Sequence, residues 1–127
     1  MSAGAEDFEG VAAVVATYFD GLYFSDTQRL RQVFHPRAQY VCVTDGTLLY
    51  RDMAEYFPVV DARPSPASRG EVRRDEILSI EFAGPVTARV ALRCAIGTRL
   101  FTDFLTLILL DGRWQVISKV FHYQEES

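Results

Sequence analysis

The residues of this chain best suited to proton transfer are an acid and an imidazole, Asp103 and His122. They lie in two β-rich runs, 101–110 and 113–122, that flank the pair Asp111-Gly112. Asp-Gly between such runs predicts a two-residue turn, and a two-residue turn fixes the pairing register. Leu110 then faces Arg113, Leu109 faces Trp114, Leu105 faces Ser118 and Asp103 faces Val120. One face of the hairpin carries Phe101, Leu105, Leu107, Leu109, Trp114, Val116, Ser118 and Val120, with Asp103 and His122 at its open end. In this register the acid and the imidazole are diagonal neighbours on one sheet face, within reach of each other. A carboxylate beside an imidazole fixes its tautomer and raises its basicity, as a general base requires. The plainer alternative is a structural pair that satisfies two polar groups at the rim of the core.

The elements that must position this pair follow from periodicity. Residues 7–24 place Phe8, Val11, Val15, Tyr18, Phe19 and Leu22 at three- and four-residue steps, an amphipathic helix. Ser25 with Gln28 reads as a capping box for a short second helix over 26–33, which ends before His35-Pro36. Residues 38–44 and 47–50 read as strands about a second turn signal, Asp45-Gly46. Asp52 and Glu55 open a third helix, limited by Pro58, and 61–70 reads as an exposed loop or lid. Strands over 73–82 and 86–96 lead through Gly97-Thr98 into the last hairpin. Carrying the register back through that turn sets Cys94 beside Phe101 and Leu92 beside Asp103. Leu78, Ile80, Phe82 and Val90 join the apolar face, while Arg89, Arg93 and Asp75 fall on the other. The result is one α+β domain over 1–127, with helices on one face of an antiparallel sheet.

Composition narrows the function classes. The chain has 127 residues, 49% hydrophobic and 24% charged, with net charge −4 and scattered cations. This is a globular balance without the basic stripe that phosphate binding needs, so nucleic acid is not the expected partner. No run approaches a membrane span and no secretory leader is visible at the start, so a cytoplasmic protein is expected. Cys42 and Cys94 read as buried thiols. With two histidines and no Cys/His spacing of a zinc site, neither a metal nor another cofactor is expected. His35, at a helix–strand junction before Pro36, reads as a turn residue.

The pattern resembles the nuclear transport factor 2-like superfamily, within it the family labelled putative lumazine-binding, near the polyketide-cyclase (SnoaL-like) group. The residues that carry the likeness are Tyr18-Phe19-Asp20-Gly21-Leu22-Tyr23, Leu30, Val33-Phe34-His35-Pro36-Arg37-Ala38 and Asp45-Gly46. Further along they are 75–80, 102–107, Asp111-Gly112-Arg113-Trp114 and Lys119-Val120-Phe121-His122. The resemblance implies a cone-shaped, cystatin-like fold: a curved antiparallel sheet around the N-terminal helix, with a deep pocket at the wide end. It also implies a homodimer paired through the convex sheet face. Phe104, Ile108, Ile117 and Phe121, assigned to that face with Lys119, agree with burial against a second copy.

Such a pocket would draw on the aromatic residues of this chain, which suit a flat ligand. Tyr18, Tyr56, Trp114 and Ser118 are the expected ligand contacts, and each has core packing as its plainer role. The first functional expectation is a domain binding a small aromatic or heterocyclic molecule. The second is a cofactor-independent dehydratase, isomerase or cyclase with Asp103 and His122 as its acid/base pair, as dehydratase- and isomerase-type relatives in the superfamily make plausible. The third is a structural dimerisation module.

Overall fold

A computed structural model describes residues 4–126; Met1–Ala3 of the N-terminal stretch and Ser127 lie outside the described residues. Helix α1 spans Ala5–Tyr23 and buries Val11, Val15, Tyr18, Phe19 and Leu22 of the stripe expected from the spacing, while Phe8, in its first turn, is exposed. Helix α2 spans Thr27–Val33. Its cap is Asp26, one residue later than expected: the Asp26 carboxylate accepts from the backbone N–H of Gln28 and Arg29. Ser25 instead takes a left-handed conformation, φ 47°, that turns the chain between the helices. Helix α3 spans Met53–Ala62 behind the Asp52–Glu55 capping box. It continues past Pro58 because proline removes one intrahelical bond while burial of Phe57 and Val60 holds the helix on both sides.

The strands are β1 (Phe34–Cys42), β2 (Leu49–Arg51), β3 (Glu76–Phe82), β4 (Thr87–Ile96), β5 (Arg99–Leu110) and β6 (Arg113–Glu125). They form one six-stranded sheet in the order β2-β1-β6-β5-β4-β3. The sheet is mixed rather than wholly antiparallel, because β1 runs parallel to β6. The Asp45-Gly46 signal marks a turn, but Cys42 pairs with Leu49, so the connection is longer than two residues. The last hairpin turns as expected, with positive φ at both Asp111 and Gly112. The β4–β5 register also matches, with Leu92 opposite Asp103 and Cys94 opposite Phe101.

One irregularity changes the far half of that hairpin. Leu110 faces Arg113 and Leu109 faces Trp114, but after Leu107–Val116 the next pair is Thr106–Ser118. Ile117 is an extra residue, a β-bulge, and from there every β6 side chain changes face. The neighbouring strand is irregular at the same height, where the β1–β6 pairing jumps between Phe34 and Gln39 across Pro36. Proline offers no ladder donor there. As a result Lys119 and Phe121 point into the core, and Ser118, Val120 and His122 point out. A second irregularity in β3, between Ile77 and Ser79, leaves Leu78 exposed rather than in the core.

Packing between α1 and α2 is tight at one glycine. A Cβ on Gly21 would lie 2.5 Å from Leu30 Cδ2, and Leu30 is fully buried. Gly21→Ala is therefore expected to destabilise by about 1–3 kcal/mol through overpacking. Urea denaturation checks this, and an unchanged midpoint would contradict the packing described.

Candidate functional site

The polar residues of the core gather around β5. Asp103 has no exposed surface, because its strand is covered by α1 on one side and flanked by β4 and β6. Tyr18, also fully buried, donates its hydroxyl to Asp103 Oδ2 from α1. The bulge brings Lys119 in beside them, with Nζ 3.8 Å from the same carboxylate oxygen, an ion-pair distance. Lys119 is enclosed by the rings of Tyr18, Tyr40, Tyr56 and Phe121, their centroids 5.0–5.5 Å from Nζ. A cation over aromatic faces is attracted by the ring quadrupoles, most strongly when water is excluded.

Among the described residues several buried polar atoms have no hydrogen-bond partner: Asp103 Oδ1, the Tyr56 hydroxyl, and Nε and Nη2 of Arg63. Each such group costs roughly 1–3 kcal/mol when nothing meets it. Arg63 is the C-cap of α3.

The electrostatics fix the proton inventory. Burial raises the Tyr18 phenol well above its usual range, and the Asp103 carboxylate raises it further. Burial also raises the Tyr40 phenol and the Cys94 thiol. Burial works against the Lys119 ammonium, but the oxygens of Tyr56, Asp103 and Tyr40 outweigh it and hold the group above the usual lysine range. The Lys119 ammonium and the Tyr18 and Tyr40 phenols therefore keep their protons at neutral pH.

A pH dependence follows. Tyr18 and Lys119 both have folded values above their unfolded ones, near 10 and 10.5. Their contribution is complete below those values and is lost as the pH rises through the folded ones. Stability is expected to fall above about pH 10. Lys119 is the only lysine of the chain, so ¹⁵N-lysine labelling gives a single side-chain signal. That signal is expected to stay an ammonium until the protein unfolds. Titration of Lys119 in the folded state, with an unfolding midpoint that does not change with pH, would contradict the arrangement.

The structure does not bring Asp103 and His122 together. His122 faces Thr102 across the hairpin, is exposed, and hydrogen-bonds through Nδ1 to Thr44 Oγ1 at 2.9 Å. The bulge is the reason, and it likewise turns Ser118 to the outer face beside Phe104 and Val120. Trp114 is on the core face as expected, but it packs on Gly10 and Phe82 and does not join the Lys119 ring cluster. Tyr18 and Tyr56 do reach the cluster. Phe121, expected on the outer face, is a core residue. His35 Nδ1 accepts from the Arg37 backbone N–H at 3.0 Å, as a turn residue would.

Lys119 was readable as an outward residue only while the strand was taken as unbroken. A signal was present in composition: twelve arginines supply every other cation, and the single lysine lies in the middle of a strand. The wide end is also more filled than expected. None of four clefts among the described residues is lined by Asp103 or Lys119. One cleft of about 320 Å³, lined by Arg31, Phe34, Pro36, Met53, Ala54 and Phe57, is separated from the cluster by the rings of Phe34 and Phe57. Those rings lie 5.9 Å and 5.8 Å from Tyr56.

A family model described as putative lumazine-binding matches residues 6–122. Aldolase FrzH from a Cladobotryum species is 25% identical over 116 residues, which cover 91% of this chain and 90% of that protein. An NTF-2-like protein of unknown function from Silicibacter pomeroyi is 25% identical with a TM-score of 0.82, over 94% of this chain and 98% of its own. An NTF2-like protein of unknown function from Shewanella baltica is 23% identical with a TM-score of 0.87, over 99% and 100%.

Proposed function

We propose that this chain, which belongs to the putative lumazine-binding family within the nuclear transport factor 2-like superfamily, is a cofactor-independent enzyme that moves a proton at the carbon next to a carbonyl group. The observation that carries this reading is the unpartnered Oδ1 of fully buried Asp103, whose other oxygen lies 3.8 Å from Lys119 Nζ; the Tyr56 ring, its hydroxyl also unpartnered, stands 5.5 Å from that nitrogen. A core that leaves such groups unmet is arranged to meet a polar small molecule. The likeness over nine-tenths of both chains to a protein named an aldolase supports carbonyl chemistry.

The step balances within the site. Asp103 Oδ1 takes the α-proton, and the C–H electron pair moves into the carbonyl to give an enolate. The Tyr56 hydroxyl and the Lys119 ammonium stabilise the developing oxyanion. With a β,γ-unsaturated ketone, return of the proton from Asp103 to the γ-carbon of the dienolate completes an isomerisation. With a second carbonyl compound, the enolate carbon attacks its carbonyl carbon and protonated Asp103 gives its proton to the alkoxide that forms, completing an aldol addition and restoring the carboxylate. Tyr18 holds the other Asp103 oxygen and so aims the base. Ligand entry displaces rings that close the site, those of Phe34 and Phe57 being nearest to a cleft. A Schiff base at Lys119 is disfavoured, because a nucleophilic amine must be neutral and this one is held charged. The homodimer remains part of the reading: Phe104 and Val120 lie exposed on the convex face.

The test is α-proton exchange in D2O, followed by NMR, with pyruvate, 2-oxobutyrate and 2-butanone as probes. The protein is expected to accelerate exchange, and Asp103→Asn to lose it. Absence of acceleration with every probe, or a hydride-trapped covalent adduct on Lys119, would contradict the mechanism.

A further inference from the structure

We propose that the cleft between α2, α3 and the start of β1 is a binding site for a small aromatic monocarboxylate, whose acid group is received by Arg31. The inference goes beyond the reading above and does not depend on it. At about 320 Å³ the cleft lies at the small end of ligand pockets, the size for a molecule of one ring. Its floor is apolar: Phe34, Met53 and Phe57 line it and are at most 5% exposed. Pro36 and Ala54 complete the wall, so Arg31 is the one charged residue of the lining.

Arg31 lies in the last turn of α2, and its guanidinium carbon stands over the Phe57 ring of α3, 4.5 Å from the centroid. An arginine held over a ring uses its face there and keeps its N–H fork, which lies in the guanidinium plane, for a planar acceptor. Among the described residues Arg31 takes part in no ion pair. The acids of α2, α3 and their caps are engaged elsewhere. Asp26 caps α2 and pairs with Arg29, Asp52 and Glu55 cap α3, and Asp61 accepts from the Thr27 hydroxyl. A neutral ring in the cleft would leave the fork to water, and a small inorganic anion would leave the apolar floor wet. An aromatic acid meets both: its ring covers Phe34 and Met53, and its carboxylate accepts two parallel N–H bonds from Arg31. Its ring then lies against Phe34, itself 5.9 Å from the Tyr56 ring, on the outer side of the closed cluster.

The test is titration of the ¹³C-labelled methyl of Met53 with benzoate and with benzamide. The chain has two methionines, and Met53→Leu identifies the signal. Met53 lines the cleft, so an aromatic ring seated there shifts its methyl resonance by ring current. Benzoate is expected to saturate that shift at a concentration at least about tenfold lower than benzamide. Arg31→Gln, at an exposed position, is expected to bring benzoate to the level of benzamide. The benzamide response of that variant, unchanged from the parent, shows that the cleft is intact. Asp103→Asn is expected to leave both titrations as they are. A Met53 response to benzoate in a protein that shows no α-proton exchange supports the acid site and removes only the proton-transfer reading. A Met53 methyl that benzoate does not move, equal responses to benzoate and benzamide, or a preference that survives in Arg31→Gln would overturn the acid site.

Discussion

Asp103→Leu is expected to lower the unfolding free energy by about 3–5 kcal/mol and Lys119→Met by a similar amount, while the double variant returns to within about 1–2 kcal/mol of the parent. Both groups are nearly free of solvent, with side-chain exposures of 0% and 6%. Removing either leaves the other as a buried charge without its counterion, and that penalty is far larger than the value of the pair itself. Removing both replaces an ion pair by apolar groups of similar volume inside a cage of rings that is already apolar. The strongly non-additive cycle is what distinguishes a coupled pair from two independent core residues. Urea denaturation of the four proteins measures it. Additive single effects would mean that Lys119 and Asp103 do not meet in the folded protein.

Tyr56→Phe is expected to do two opposite things. The Tyr56 hydroxyl is buried without a partner among the described residues, so deleting it removes a desolvation cost of about 1–3 kcal/mol. The ring, stacked at 4.5 Å on Tyr40, is retained. The variant should therefore be as stable as the parent or more so. In the exchange assay the same deletion removes a donor to the oxyanion, a loss of about 10²–10³-fold in rate. A core tyrosine with no part in chemistry would show the stability gain without the rate loss. Stability improved by removing a functional group is the signature of a site that carries strain for its activity.

Much of the frame can be read from residues alone, because it is fixed locally. Asp111-Gly112 sets its own turn, Gly97-Thr98 carries the register from β5 to β4, and Asp52 with Glu55 caps α3. These devices act within a few residues and need no partner from elsewhere in the chain. The bulge at Ile117 is different. An unbroken β6 would bury Val120 and expose Lys119 and Phe121; the bulged strand exposes Val120 and buries the other two. Local apolar patterning scarcely distinguishes the two, since each buries one large apolar residue. The choice is made by distant groups: the Asp103 carboxylate that a lysine can neutralise, the tyrosine rings that enclose it, and a β1 strand interrupted at Pro36 on the other side. Asp103, Tyr18 and Tyr56 could be named as candidates because their strand or helix phase is local. The partner of Asp103 could not, because a single inserted residue decides between His122 and Lys119.

The most direct test of the account compares Asp103→Asn with His122→Ala in the α-proton exchange assay, with 2-oxobutyrate as the probe. Loss of a positioned general base should lower the rate by about 10²–10⁴-fold in Asp103→Asn. His122, exposed and bonded to Thr44 on the outer face, should be replaceable with no change in rate. A rate that survives in Asp103→Asn but collapses in His122→Ala would contradict the placement of the chemistry at the Asp103–Lys119–Tyr56 cluster.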